Sequence, residues 1–503
     1  MQELTTQQRR AIGMSGRICC LIAGAGSGKT HTLTERIIQD TATQMPETMV
    51  VVTFTNAAAN EIRDRISKRG LDPERFRHIG TLHAWATRET RLHRRKPITI
   101  ASERQIKEIA KGLEKMIGPV IRSMSGAEIW RNTVNPPMFG RGRTVGQAMR
   151  IRLEAANLTH HDLILADFAA MIEASQVTPP ARIYVDEYQD SAPVDAAIYQ
   201  GLQRFGTALY VIGDPRQAIY GFRGAEPKNL TDAWHLTPDG SREILTVNFR
   251  SSAEICSLAT RIASRMDGLE FPVTMEASTS EPGTVTRYIA QSEPEEMLQA
   301  AKWIQQRADE GMSAAVLCRY NAQAKAAAMI IRAAGIRTTC SADGPTGPQR
   351  ETLEDSMAKI QTAVLATYPV AGRMDEKAAK AWWLEIMTSL AVPMANQDAL
   401  LPSLLDCQTR EDVISLGATP EPPAGRIAVA TIHAAKGLEW DAVWFLGADS
   451  AAFPEQDQES GRMVYVATTR ARRHLVTSHA ATRAQPESGK NLHGLNLTAW
   501  IPA

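Results

Sequence analysis

Along the first half of the chain, short apolar runs alternate with longer stretches whose apolar positions recur at helical spacing. Ile18 to Ala23, Met49 to Thr55, Ile183 to Asp186 and Leu209 to Gly213 are apolar almost throughout rather than at every second position. Such runs read as strands buried on both faces. Thr32 to Gln39 and Ala57 to Ser67 carry an amphipathic helical pattern. Strand–helix alternation predicts βαβ units and a parallel sheet covered on both faces. The rhythm returns with strand-like runs at Ile244 to Phe249, Ala315 to Cys318, Ile427 to Ile432, Ala442 to Leu446 and His474 to Thr477. The expected fold class is therefore α/β, with an early and a late core.

Two segments interrupt this pattern. Residues 84–159 read as mainly helical and are rich in arginine, among them Arg88, Arg91, Arg131, Arg141, Arg143, Arg150 and Arg152, with no acidic residue between 131 and 153. A run of this kind suits a phosphate-contacting face, and equally a solvated helical surface. Residues 338–424 open on Asp343-Gly344-Pro345 and close on Pro420-Glu421-Pro422-Pro423-Ala424-Gly425, the punctuation of linkers. The expected organisation is a first core from 1–83 and 160–242 and a second from 243–337 and 425–503, with inserts at 84–159 and 338–424. Trp382 and Trp383 stand side by side in the later insert and cannot both face one core stripe of a helix. That makes this insert the expected surface for a protein partner or for self-association.

Charge narrows the picture only slightly. The 56 Lys and Arg residues balance 55 Asp and Glu, a net of +1, which excludes a histone-like polycation but leaves room for a local basic groove. No apolar run is long enough to span a membrane, and the first ten residues are polar, so a cytoplasmic protein is expected. Cys19, Cys20, Cys256, Cys318, Cys340 and Cys407 form no C-x-x-C pair, and several fall within strand-like runs. A disulfide framework or zinc ribbon is therefore not expected.

The chemistry is concentrated in two motifs. Ala23-Gly24-Ala25-Gly26-Ser27-Gly28-Lys29-Thr30 follows a strand and opens a helix, the setting of a P-loop. Its glycines let backbone N–H groups converge on phosphate oxygens at a helix N-terminus. Lys29 is placed to bridge the β- and γ-phosphates of ATP, and the Thr30 hydroxyl to ligate Mg²⁺. The second motif is Asp186-Glu187, at the end of another strand, where α/β sheets bind their ligands. Alone, an Asp-Glu pair is usually a solvated loop. Downstream of a P-loop, Asp186 is assigned to the metal and Glu187 to the attacking water.

Val185-Asp186-Glu187-Tyr188-Gln189-Asp190 is close to the DExQD motif of superfamily 1 helicases, and from here the chain resembles the UvrD/Rep/PcrA group. Leu4 to Arg9 resembles that group's Q motif, Thr53 to Asn56 motif Ia, and Gly80 to His83 motif Ib. Gly213 to Ala225 resembles motif III, Asn248 to Ser251 motif IV, Thr431 to Trp440 motif V and Tyr465 to Ala471 motif VI. The resemblance implies two RecA-like cores with ATP hydrolysed in the cleft between them, and two mainly helical inserts corresponding to the 1B and 2B subdomains. It implies that Gln8 reads adenine, Phe249 stacks on the base and Glu439 accepts from the ribose hydroxyls. Arg250 and Arg470 are implied to meet the γ-phosphate and Gln217 to sense it. Contacts to single-stranded DNA are implied for Phe54, Thr55, Asn56, Thr81, His83, Tyr220, Phe222, Arg223, Thr431 and His433. Aromatic rings that stack bases and hydroxyls that hold phosphates suit a sequence-blind strand track.

The sequence departs from the group's pattern in places. Ala57 stands where motif Ia usually has Lys, His31 where Arg commonly follows the P-loop, and Phe222 where motif III usually has Trp. The expected activity is ATP-dependent 3′-to-5′ translocation on single-stranded DNA, with action at single-strand/duplex junctions. The reduced later insert implies that translocation outpaces unwinding. The alternative is a DNA-sensing ATPase subunit of an anti-phage defence complex that unwinds little by itself.

Overall fold

The computed structural model describes residues 3–93, 101, 103–117, 141–221, 225–266, 271, 274–336, 338–342, 360, 383, 387, 427–484 and 491–502. The chain divides into two compact units, one of Met1–Phe249 with Gly268–Glu276 and one of Arg250–Asp267 with Ala277–Ala503.

The first unit is built on a six-stranded sheet, parallel throughout. Its strands are β1 (Ile18–Ala23), β2 (Met49–Thr53), β3 (His78–Thr81), β4 (Arg182–Val185), β5 (Ala208–Gly213) and β6 (Arg242–Leu245), in the order β3-β2-β4-β5-β1-β6. The continuous apolar runs have a direct physical use, because alternate residues of each strand feed separate cores. Cys20, Ile22, Val50, Val52, Ile183 and Val185 pack with Trp85, Ile164, Phe168, Ile198 and Leu202. Those partners come from α4 (Leu82–His93), α7 (His161–Glu173) and α8 (Pro193–Arg204). On the other face, Cys19, Leu21, Met49, Val51, Tyr184 and Tyr210 pack with Ala11, Leu33, Ile37, Ile62 and Ile66. These lie on α1 (Thr6–Gly13), α2 (Lys29–Asp40) and α3 (Asn56–Lys68).

Two expectations need correcting. The strand expected over 244–249 to begin the late core instead closes the early sheet, with Cys20 to Ala23 of β1 in register with Arg242 to Leu245. Only from Arg250 does the chain belong to the second unit. The Arg-rich insert also begins later than residue 84, because Trp85 and Ala86 are fully buried in the sheet's own core. The described part of that insert includes α5 (Glu103–Ile117) and α6 (Arg141–Ala155), which share a small cluster of Leu113, Val145 and Met149.

The second unit holds a seven-stranded sheet. Its strands are β7 (Thr284–Ser292), β8 (Ala314–Cys318), β9 (Thr338–Cys340), β10 (Ile427–Thr431), β11 (Trp440–Phe445), β12 (Ala471–Ala484) and β13 (Asn491–His493). The order is β9-β10-β8-β11-β12-β13, with β7 also pairing β12, and only β13 runs antiparallel. Helices α9 (Glu293–Asp309) and α10 (Asn321–Ala333) bury Met297, Ala300, Ile304, Ala327 and Ile331 against Val316, Val429 and Trp444. Of the tryptophan pair expected to offer a docking surface, Trp383 is buried and Trp382 lies outside the described residues. No helix among the described residues is long and apolar enough to cross a membrane.

Candidate nucleotide and nucleic-acid sites

The P-loop links the end of β1 to α2. Gly26 and Gly28 adopt positive φ, and Gly28, at 78°, caps α2 from the left-handed region. A Cβ at Gly28 would lie 2.9 Å from Gln8 Nε2 and 3.8 Å from the Phe249 ring, so the structure brings these three residues together. Gln8 owes its place to the start of α1. Thr5 caps that helix through a capping box, in which Gln8 Oε1 accepts from the Thr5 N–H at 3.0 Å and Gln8 N–H donates to Thr5 Oγ1 at 3.1 Å. An amide oxygen has a second lone pair, so this bond leaves it acceptor capacity. The loop is also held from the far end of the unit. Asn248 Nδ2 donates to Ala25 O and the Phe249 N–H to Gly26 O, both at 2.8 Å. Asn248 was not among the residues singled out from sequence, although it opens motif IV. Ala23 ends β1, Gly24 accepts from Ser27 Oγ at 2.7 Å, and Thr30 lies in the first turn of α2. His31 follows it, and burial together with Arg65 and Arg69 lowers its pKa against the pull of Glu35.

Next to β1 stands β5, and next to β5 stands β4. Asp186 follows β4, is buried, and accepts from the Glu187 N–H at 3.0 Å. Burial and the adjacent Glu187 carboxylate push Asp186 up to about 7, against the pull of Lys29. Two neighbouring carboxylates, one of them buried, make a donor set that favours a divalent cation. Thr30 and Asp186 are the residues that would hold Mg²⁺. Lys29 Nζ is 3.8 Å from Glu187 Oε1. Glu187 itself has φ 52°, uncommon for a residue with a Cβ, and its Oε2 accepts from Gln189 Nε2. Gln189 Oε1 in turn accepts from the Asp214 N–H at 3.0 Å, and Asp214 Oδ2 accepts from Gln217 Nε2 at 2.9 Å. Gln189 and Asp214 were not singled out from sequence, and the only hint was their presence inside motifs II and III.

Farther along the same rim lie Phe54, Thr55, Asn56, Thr81 and His83, all expected on DNA. Phe54 and Tyr220 stack on each other, centroids 4.8 Å apart. Thr55 Oγ1 caps α3 by accepting from the Ala58 N–H, Thr81 Oγ1 accepts from the Ala84 N–H at the start of α4, and in the second unit Thr431 Oγ1 accepts from the Ala434 N–H. Each accepting hydroxyl still carries its own O–H, the donor a phosphate oxygen requires. Asn56 is exposed, while His83 and His433 are half-buried. Phe222 and Arg223 lie outside the described residues.

The second unit gathers Arg250, Glu439 and Arg470 near the N-terminal ends of β11 and β12, opposite the end of the sheet that carries Thr431 and His433. Arg250 pairs with Glu439 and donates from Nη1 to Thr469 O at 3.2 Å. Arg472, which the sequence reading passed over, binds the other Glu439 oxygen, from Nε at 3.1 Å. Burial acts to raise the Glu439 pKa, but Arg250 and Arg472 overcome it and hold the carboxyl below its ordinary value. Arg470 is buried and donates to Val466 O at 3.0 Å and Leu438 O at 3.2 Å.

A P-loop at the switch point of a parallel α/β sheet, with an Asp-Glu pair two strands away, defines a P-loop NTPase of RecA-like architecture. Residues 4–124 and 147–237 match the UvrD/REP helicase N-terminal domain and residues 414–482 the UvrD-like helicase C-terminal domain. The chain belongs to the UvrD-like helicase family. It is 28% identical to the ATP-dependent DNA helicase UvrD2 of Mycobacterium tuberculosis, over 96% of this chain and 79% of that protein. It is 26% identical to DNA helicase II of Escherichia coli, over 65% of this chain and 49% of that one.

Proposed function

We propose that this chain is an ATP-dependent DNA helicase that moves 3′ to 5′ along single-stranded DNA and acts at single-strand/duplex junctions. The observation that carries the reading is the order of residues along the C-terminal rim of the first sheet. From β3 to β6 it runs through Thr81, then Phe54 and Thr55, then Asp186 and Glu187, then Asp214 and Gln217, then the P-loop, and finally Asn248 and Phe249. Candidate strand contacts occupy one end, candidate nucleotide contacts the other, and the hydrolytic carboxylate lies between them.

In this reading Gln8 and Phe249 hold the base, and the P-loop N–H groups and Lys29 hold the phosphates. Mg²⁺, when bound by Thr30 and Asp186, neutralises charge on the phosphate oxygens. Glu187 orients the attacking water and accepts its proton. Arg250 and Arg470 are assigned to the charge that develops on the transferred phosphoryl group. Direction rests on the family resemblance alone.

The test is ATP turnover with and without single-stranded DNA, followed by unwinding of duplexes with 3′ or 5′ tails. Glu187→Gln is expected to keep ATP binding and lose turnover by about 10²–10⁴-fold, as for removal of a positioned base. Near-full turnover in that variant sinks the assignment of Glu187, and unwinding only from a 5′ tail overturns the direction.

A further inference from the structure

We propose that Gln189 is a positioning residue for ATP hydrolysis, fixing the orientation of the Glu187 carboxylate from behind. The inference rests on the hydrolytic role of Glu187 proposed above. Gln189 lies two residues beyond Glu187 in a short turn of 3₁₀ helix, Tyr188–Asp190, and its side chain is fully buried. Both ends of its amide are used. Nε2 donates to Glu187 Oε2, and Oε1 accepts from the backbone N–H of Asp214 at 3.0 Å. The amide therefore spans the rim from the end of β4 to the end of β5.

Two further features fit a held, rather than an incidental, amide. Gly213 immediately precedes Asp214, and a Cβ there would lie 2.2 Å from Gln189 Oε1. A side chain at 213 would thus drive the amide out of its place. Glu187 sits in the left-handed region at φ 52°, a conformation strained for a residue with a Cβ, which persists only when its surroundings fix it. The amide bond to Oε2 is one such restraint, and it leaves Oε1 on the side of Lys29, 3.8 Å away. With one oxygen tied back, the other keeps a constant direction when Lys29 turns to the phosphates. Glu187 can then accept the water's proton without first reorienting.

The donor end can be tested apart from the acceptor end. Gln189→Glu is isosteric and still accepts from Asp214, but it sets a carboxylate against Oε2 of Glu187. That removes the donor to Glu187 and keeps the acceptor for the Asp214 N–H. Turnover at saturating ATP and DNA is therefore expected to fall about 10²-fold in Gln189→Glu, the usual effect of misplacing a reacting group by about 1 Å. KM for ATP should change less than about threefold, a split that a merely structural role would not give. Gln189→Ala, which removes both ends of the amide, should lose at least as much turnover. Wild-type turnover in Gln189→Glu, or a loss carried by KM rather than by turnover, overturns the inference and leaves the helicase reading intact. A wild-type protein that hydrolyses no ATP overturns both.

Discussion

The two units handle their charged residues differently. In the first, groups assigned to ATP are held largely by neutral partners: Gln8 by the Thr5 cap, and the P-loop carbonyls by Asn248 and the Phe249 N–H. Lys29 faces Glu187 only at 3.8 Å, and neither side chain is fully buried. An ion pair of that kind contributes roughly 0–1 kcal/mol, so a phosphate can displace it at little cost. In the second unit Arg250, Glu439 and Arg472 are bound to one another, and Arg470 is buried against backbone carbonyls. Arg250 and Arg472 are partly exposed, but the buried Arg470 incurs a penalty of several kcal/mol on leaving its partners unless an anion replaces them. Under the proposed function the first site is ready to bind, whereas the second has to exchange partners to act. ATP affinity should therefore follow the first unit's geometry, and the second unit's contribution should appear in turnover.

The largest expected effect comes from disturbing the ready-made site. Gly28→Ala introduces a Cβ 2.9 Å from Gln8 Nε2 at a position with φ 78°. Backbone strain of about 1–2 kcal/mol adds to the collision. KM for ATP is expected to rise at least about tenfold, since 1.4 kcal/mol corresponds to a factor of ten. Gly13→Ala, where a Cβ meets nothing within 4 Å, is the control and should leave KM unchanged. Wild-type nucleotide affinity in Gly28→Ala would break the contrast between the units.

A smaller effect is expected from Glu439→Gln, which removes the anion shared by Arg250 and Arg472. Turnover should change more than KM, and Tm should fall by about 2–4 °C, the shift for roughly 1 kcal/mol in a domain of this size. The pH sign follows from the lowered carboxyl. A group whose pKa is depressed in the folded state stabilises above its unfolded value and loses that contribution as pH falls through the folded one. The stability gap between wild type and Glu439→Gln should thus be flat from about pH 6 to 9 and shrink only below about pH 4, under the ordinary glutamate value. A gap that closes near neutrality would mean that the arginines do not hold Glu439.

How much was readable in the sequence follows the same division. β1, β2, β4 and β5 are apolar on both faces, so their positions were evident, and the P-loop and Asp186-Glu187 stand at their ends. The strand expected over 244–249 falls in the first core rather than the second, because a strand-like run does not specify its neighbours. Only the register with Cys20 to Ala23 reveals them. Trp85 was placed in an insert because an arginine-rich stretch follows it, while its burial depends on Phe168, whose ring meets it edge-on at 5.1 Å. Gln189, Asn248 and Arg472 act through contacts with residues far away in sequence or with backbone atoms, which no local spacing encodes. The Asp214 half of the Gln189 bridge requires knowing that β4 and β5 are adjacent, although its other half reaches Glu187 only two residues away.

The smallest expected effect tests whether the Arg-rich insert resembles either unit. Arg150 and Arg152 are two residues apart on α6 and therefore point to different sides of the helix. Arg150 is half-buried with Nη1 4.0 Å from Asp167 Oδ1, whereas Arg152 is exposed. The side chains of Arg141 and Arg143, and all of Arg131, lie outside the described residues. If the insert meets DNA phosphates, the exposed side of α6 that carries Arg152 meets them more readily than the half-buried side that carries Arg150. Each phosphate contact contributes about 0.7–0.9 to the slope of log affinity against log salt. Arg152→Glu should therefore reduce that slope by about one, and Arg150→Glu by less than half as much. Equal reductions would mark both sides of the helix as phosphate contacts. An unchanged slope in both variants would make the arginine run a solvated surface, and strand binding would then rest on the rims of the two sheets.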